Sequence, residues 1–427
     1  MKTTDLMNMA ERVFSKGLVN VMRETGHDFL EAERSGSYVF DSEGNRYLDG
    51  YTSAGTFNLG RKNPAITAQL KKMVYKTDQG NFVMPSKEKT LLARRLSEFV
   101  PGELECVLYG VTRGESMDAA CKLARGYTGR PGLVTVDGGY YGETGFALSL
   151  SSRESKEQFG SLIPEVTVIP FGDIDAASAC MSLKPAAFIM EPIQTENHCR
   201  TADSNYYSRI RELCARNGVQ LIFDETSSGF GRTGKKFFFE YHHVLPDILI
   251  LGEAITSGMF PMTAMVFTPE LKTFFDAHPL IHLCTFGGHD LGCHAAITAL
   301  DEYELTAAWE NAANLGELLL GELADAALRD QSVVSVTGKG LLISMMFSSQ
   351  ATALNFCKKA RAHGLLVNTA RVATQCVLLM PSLLITAQEK DQIVTAVKQA
   401  LEDLKPSQSK VRPRTKKRGK PATGKQK

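Results

Sequence analysis

Apolar residues in this chain recur with two periods, and the two alternate along its middle. Over residues 86–100, 115–127, 206–217 and 291–304 they return every three or four positions, the spacing of an amphipathic helix. Between those stretches lie short, mostly apolar runs rich in Val and Ile, at 105–109, 132–136, 187–190, 219–223, 247–251 and 262–267. Runs this short, bounded by polar turns and alternating with helices, predict strands buried on both faces of a mostly parallel sheet, an α/β domain.

The ends of the chain read differently. Residues 6–19 form an amphipathic segment, and residues 37–49 predict two short strands around a turn at Gly44 and Asn45. Beyond 310 the pattern gives a helix at 311–328, an apolar run at 338–347, a helix at 351–363, a strand at 376–380 and a helix at 387–404. That organisation predicts a small α+β domain assembled from residues 1–50 and 311–404, a large α/β domain at 51–310, and a tail at 405–427 rich in Pro, Ser, Lys and Arg and expected to be disordered.

The charge changes the picture because it is unevenly placed. The formal net charge of the 427 residues is +1, yet residues 405–427 carry ten Lys or Arg and no acid. Taking those ten from the 48 basic residues leaves 38 against 47 acids, so the body is near −9 and the tail +10. Such a tail suits docking on an acidic partner or solubilising disorder. No apolar run reaches the roughly 20 residues of a membrane span, and the first residues do not resemble a secretory signal. Nine cysteines are scattered singly with no CxxC pair, which fits reduced thiols in a cytoplasmic protein.

In an open α/β sheet, ligands bind beyond the carboxyl ends of the strands. Asp224 and Glu225 follow the run Leu221-Ile222-Phe223 directly. An acid there suits a cation or a protonated ring nitrogen, and a turn cap is an equal alternative. Thr112, Arg113 and Gly114 lie between a strand and a helix, where free N–H groups and the helix dipole favour an anion. Tyr140, in a Gly-rich loop after another strand, could cover a flat ligand or simply pack. His242 and His243 read as surface residues. His198 with Cys199 is a weak metal candidate, and no metal site is expected.

Five separated motifs in order resemble the class III (ornithine/ω-amino acid type) aminotransferases, which use pyridoxal phosphate on the fold type I scaffold. They are ACKLARGYTGR (120–130), IMEP (189–192), FDETSSGFGRTGKKFFFE (223–240), VLPDILILGEAITSGMFPM (244–262) and TFGGH (285–289). The resemblance implies that Asp224 pairs with the pyridine nitrogen and that Tyr140 stacks on the ring. It implies that Thr112, Arg113 and Gly114 receive the phosphate. Thr285 would complete that site from a second subunit, which implies a homodimer with a shared active site.

The same resemblance exposes departures. The family's Schiff-base lysine falls without a gap on Glu253, and no lysine lies between Lys236 and Lys272. A carboxylate forms no imine, so no internal aldimine is expected. The phosphate loop, usually Ser-Gly-Ala/Thr, reads Thr112-Arg113-Gly114, and Arg113 is placed to clamp a phosphate, to fill its place or to neutralise Glu253. The Val and Gln that commonly follow the Asp-Glu pair are Thr226 and Ser227, and Tyr141 stands for the usual His. Leu378 takes the place of an Arg that grips a substrate carboxylate. Several changes around one pocket point to a repurposed enzyme acting on a small anionic or amino-acid-like substrate. Either it holds pyridoxal or pyridoxamine phosphate non-covalently, or it has no cofactor and uses Glu253, Asp224 and Arg113. The alternatives are a non-catalytic partner subunit of an active aminotransferase and an ordinary pyridoxal-phosphate transaminase.

Overall fold

The computed structural model describes residues 2–80, 84–328 and 330–405. Beyond Lys405, the tail expected to be disordered lies outside the described residues. The N-terminal strands are β1 (Glu31–Ser35), β2 (Tyr38–Asp41) and β3 (Arg46–Asp49). The central strands are β4 (Cys106–Gly110), β5 (Leu133–Val136), β6 (Val166–Ile169), β7 (Ala187–Met190), β8 (Gln220–Asp224), β9 (Ile248–Leu251) and β10 (Thr263–Phe267). The C-terminal strands are β11 (Val333–Lys339), β12 (Leu342–Phe347), β13 (Leu365–Leu366), β14 (Asn368–Thr369) and β15 (Cys376–Leu379).

The seven central strands form one sheet in the order β4-β10-β9-β8-β7-β5-β6. Pairing is parallel from β9 through β6, and β10 alone runs against its neighbours β4 and β9. Every residue of β5, β7, β8 beyond Gln220, β9 and β10 is buried, as helices on both faces require. The carboxyl ends of β4, β9, β8 and β7 therefore open on one edge, and that edge carries the candidate site. The start of the antiparallel β10 joins it, with Thr263 paired to Gly110.

The two smaller sheets are β1-β2-β3-β13 and β11-β12-β15-β14. Leu365 of β13 pairs in parallel with Leu48 of β3, which ties the first fifty residues to the C-terminal part. Arg232, fully buried, donates to the carbonyls of Leu341 and Pro381 and to Asn58, and so links the large sheet's following loop to both.

The amphipathic segment 6–19 falls across two helices, Thr3–Val13 and Lys16–Thr25, because the Ser15 hydroxyl accepts from Leu18 N at 3.0 Å and starts the second. The apolar run 338–347 holds the end of β11, a turn and β12. Gly340 makes that turn at φ +58°, with its Cα so close to the Thr233 backbone that a Cβ would lie 2.5 Å from it. His242 is not a plain surface residue, since its ring stacks on Tyr207 with centroids 3.9 Å apart. The exposed strand β1 escaped detection because nothing on it alternates in polarity.

Candidate active site

Three acids end or follow three adjacent strands. Glu191 comes directly after β7, Asp224 closes β8, and Glu253 lies two residues past β9. The parallel register stacks β7, β8 and β9 side by side, so the three carboxylates converge. Facing them is the first turn of the helix Arg113–Thr128. Thr112 caps this helix, and Glu115 reaches back to accept from Val111 N at 2.7 Å. The Thr112 carbonyl accepts from the Thr263 hydroxyl at 3.1 Å, pinning the turn to β10.

Arg113, the first residue of the helix, sends its side chain into the cluster. Its Nε donates to Asp224 Oδ2 at 2.9 Å and its Nη2 to Glu191 Oε1 at 2.7 Å. The other oxygen of each acid is also engaged. Asp224 Oδ1 accepts from Thr226 N at 2.9 Å, and Glu191 Oε2 accepts from Tyr140 N at 3.0 Å. The guanidinium carbon lies 5.2 Å from the centroid of the Tyr140 ring. The Asp224 side chain has 0% exposure and that of Arg113 10%.

The electrostatics follow from this burial. Removal from water works against the Arg113 charge, but Asp224 and Glu191 outweigh it and hold the guanidinium firmly protonated. Burial, with the Asp224 charge adding to it, pushes Glu191 up to about 7 in spite of Arg113. One guanidinium between two carboxylates leaves an excess negative charge, which a proton on Glu191 removes.

Neutralising Glu253 was one of three roles open to Arg113, and its guanidinium does not bond that residue. Its Oε1 accepts the Arg113 backbone N–H at 3.3 Å instead, as an anion at the helix N-terminus. Unlike Asp224, Glu253 is only partly buried. Gly114 follows, packed so tightly that a Cβ would lie 2.6 Å from the Thr144 hydroxyl. Thr112 and Thr285 are exposed. Thr285 lies in an apolar stretch in which Leu280 is 71% exposed and Ile281, Leu283 and Phe286 are 54–55% exposed.

The Asp224-Glu225 pair splits. Glu225 turns away, accepting from the backbones of Phe238 and Phe239 and the Ser228 hydroxyl, and burial pushes it up to about 7. Tyr141 is buried against the Thr135 hydroxyl. Leu378 sits in an apolar cluster with Leu342, Cys376 and Met380. His198 is held at both ring nitrogens by the hydroxyls of Ser344 and Ser335. Among the described residues no three His, Cys, Asp or Glu are grouped to hold a metal.

Sequence reading missed three site residues. Glu191 was visible by the rule that singled out Asp224, an acid directly after an apolar run. Arg371 and Glu196 gave no such signal. They come from loops far apart in sequence, yet Arg371 Nη1 lies 2.7 Å from Glu196 Oε1, and its guanidinium carbon lies 5.2 Å from the Tyr140 centroid. Glu196 is buried while Arg371 is 43% exposed at its side chain.

The chain matches the family model "Aminotransferase class-III" over residues 21–401. It is 33% identical over 380 residues to an uncharacterised aminotransferase of Archaeoglobus fulgidus, covering 88% of this chain and 89% of that protein. It is 32% identical over 394 residues to a putrescine aminotransferase of Pectobacterium atrosepticum, covering 89% and 84%. Among solved structures it superposes, at TM-score 0.81 and 26% identity, on an amine transaminase of an uncultivated Pseudomonas species in its pyridoxal-phosphate-bound, internal aldimine form. That match covers 88% of this chain and 95% of the other.

The residues of this pocket do not suit that cofactor. A pyridine nitrogen would need Asp224, whose two oxygens are committed to Arg113 and Thr226. The helix N-terminus that would take a phosphate already holds the Glu253 carboxylate.

Proposed function

The chain belongs to the class III aminotransferase family, and we propose that within it this protein is a repurposed enzyme that works without an internal aldimine on a small anionic substrate. Glu253 carries the reading. It is the partly accessible carboxylate at the end of β9, on the position to which the family's lysine corresponds, and no lysine occurs between Lys236 and Lys272. In this role Glu253 takes or returns a proton at the substrate. Asp224 and Arg113 lie behind it and act by positioning, since Arg113 presents its backbone N–H to Glu253 and is itself fixed by Asp224 and Glu191.

Arg371 supports the anionic substrate. With Leu378 in the apolar core, Arg371 is the guanidinium that borders Tyr140 while remaining 43% exposed. Its bond to the buried Glu196 fixes its direction, and its remaining N–H groups suit a carboxylate or phosphate. A second copy of the chain covers the apolar stretch around Thr285 and closes the site from the other side.

The test is a screen of small carboxylates and phosphates for chemical change by NMR, with Glu253→Gln as control. Turnover that disappears in a folded Glu253→Gln protein is the expected result. No turnover across the screen by a well-folded dimer favours the non-catalytic partner-subunit reading. Amino transfer from glutamate or alanine would make it an ordinary transaminase.

A further inference from the structure

We propose that the chain supplies its own replacements for both charged ends of the cofactor and thereby excludes it. The Arg113 guanidinium takes the place of the protonated ring between Asp224 and Tyr140, and the Glu253 carboxylate takes the place of the phosphate at the helix N-terminus. This rests on membership of the family and not on the enzymatic reading above.

Four observations carry it. First, the guanidinium bonds to both buried acids at the strand ends, at 2.9 Å and 2.7 Å, and lies against the face of Tyr140. A flat cation bonded to a carboxylate and flanked by an aromatic face is the environment a pyridinium would require. Second, no oxygen of Asp224 or Glu191 is idle, because Thr226 N and Tyr140 N hold the other two. Third, three N–H groups around the helix start are engaged within the chain: Val111 N by Glu115, Arg113 N by Glu253, and Glu115 N by Thr112. Fourth, the loops that border the site are packed against each other. Gly114 and Gly142 meet so closely that a Cβ on Gly142 would lie 2.7 Å from the Gly114 Cα.

The two replacements reinforce each other through one residue. Arg113 delivers its side chain to Asp224 and its main-chain N–H to Glu253, so a ring arriving at Asp224 must expel a buried cation. Even when a protonated ring pairs with Asp224, expulsion leaves the buried Glu191 without the guanidinium it bonds, which is costly. The cofactor's own ring offers a single N–H in return for the two hydrogen bonds lost.

Pyridoxamine phosphate is the probe, because it has no aldehyde and cannot label surface lysines. Equilibrium dialysis of the full-length wild type is expected to show no saturable binding at ~1 mM ligand, with no rise in Tm. Arg113→Gly/Glu253→Gln, which removes both replacements, is expected to bind one equivalent per chain, at least tenfold more tightly than the wild type, and adding Asp224→Asn to lose it again. Saturable micromolar binding by the wild type overturns the inference. So does a folded Arg113→Gly/Glu253→Gln protein that binds no better than the wild type. Should that variant fail to fold, the wild-type dialysis and Tm decide alone. A wild type that excludes the probe but turns nothing over leaves this inference standing and removes the enzymatic one. A wild type that binds the probe removes this one whatever its turnover.

Discussion

Arg113 Nε donates to Asp224 Oδ2 at 2.9 Å inside the protein, with the Asp224 side chain wholly shielded from water. The resemblance to the family implied a cofactor opposite this acid; here it faces the chain's own arginine. An ion pair at this depth is sustained only because Glu191, Thr226 and Tyr140 complete its hydrogen bonds.

Removing one member should therefore cost far more than a surface pair would. Arg113→Met is expected to lower unfolding free energy by about 3–5 kcal/mol, the range for stranding a buried charge. Combining it with Asp224→Asn and Glu191→Gln should recover part of that loss, because no uncompensated charge remains. Urea titrations of the single and triple variants measure both numbers. A triple variant less stable than Arg113→Met would contradict the electrostatic account.

The pH profile has a definite sign. Burial raises Glu191 and Glu225 to about 7, so between the ordinary value of 4.5 and about 7 the folded chain binds more protons than the unfolded one. Their contribution is complete below 4.5 and is lost as the pH rises through about 7. Urea midpoints should fall from about pH 5 to pH 7.5, and Glu191→Gln should flatten that fall by about 2–3 kcal/mol at most. A variant with the wild-type slope would show that Glu191 is not the titrating group.

Glu253→Lys should not produce a transaminase. The new amine would stand at the end of β9, but Asp224 remains bonded to Arg113 and Leu378 remains in the apolar core. With added pyridoxal phosphate and glutamate or alanine, formation of 2-oxo acid is expected to stay at the level of the protein-free blank.

The stretch around Thr285 should be an interface. Leu280, Ile281, Leu283 and Phe286 together expose more apolar surface than a lone residue needs to explain. Leu283→Glu/Phe286→Glu is expected to convert a dimer to a monomer in light scattering while circular dichroism stays unchanged. A wild-type monomer at micromolar concentration would refute it.

Much of this was legible in residue order. The alternation of short Val- and Ile-rich runs with helical stretches specified β4, β5, β7, β8, β9 and β10 to within a residue or two, because strands buried on both faces leave an unbroken apolar mark. The rule that ligands meet strand ends singled out Asp224, and the same rule applied to residues 187–190 would have found Glu191. Glu253 required nothing but a gap-free reading. Arg371 and Glu196 were not legible, since they come from separate loops and neither adjoins an apolar run.

The sequence alone determined six of the sheet's seven strands, β6 excepted, the edge on which the carboxyl ends of the parallel strands open and the identity of the residue at position 253. Tertiary structure decided where Arg113 goes. A guanidinium on a flexible stem in a helix's first turn can reach a phosphate, Glu253 or Asp224, and residue order does not rank them. The ranking comes from β7 lying beside β8, which sets two carboxylates together in a water-poor pocket that a single cation must neutralise.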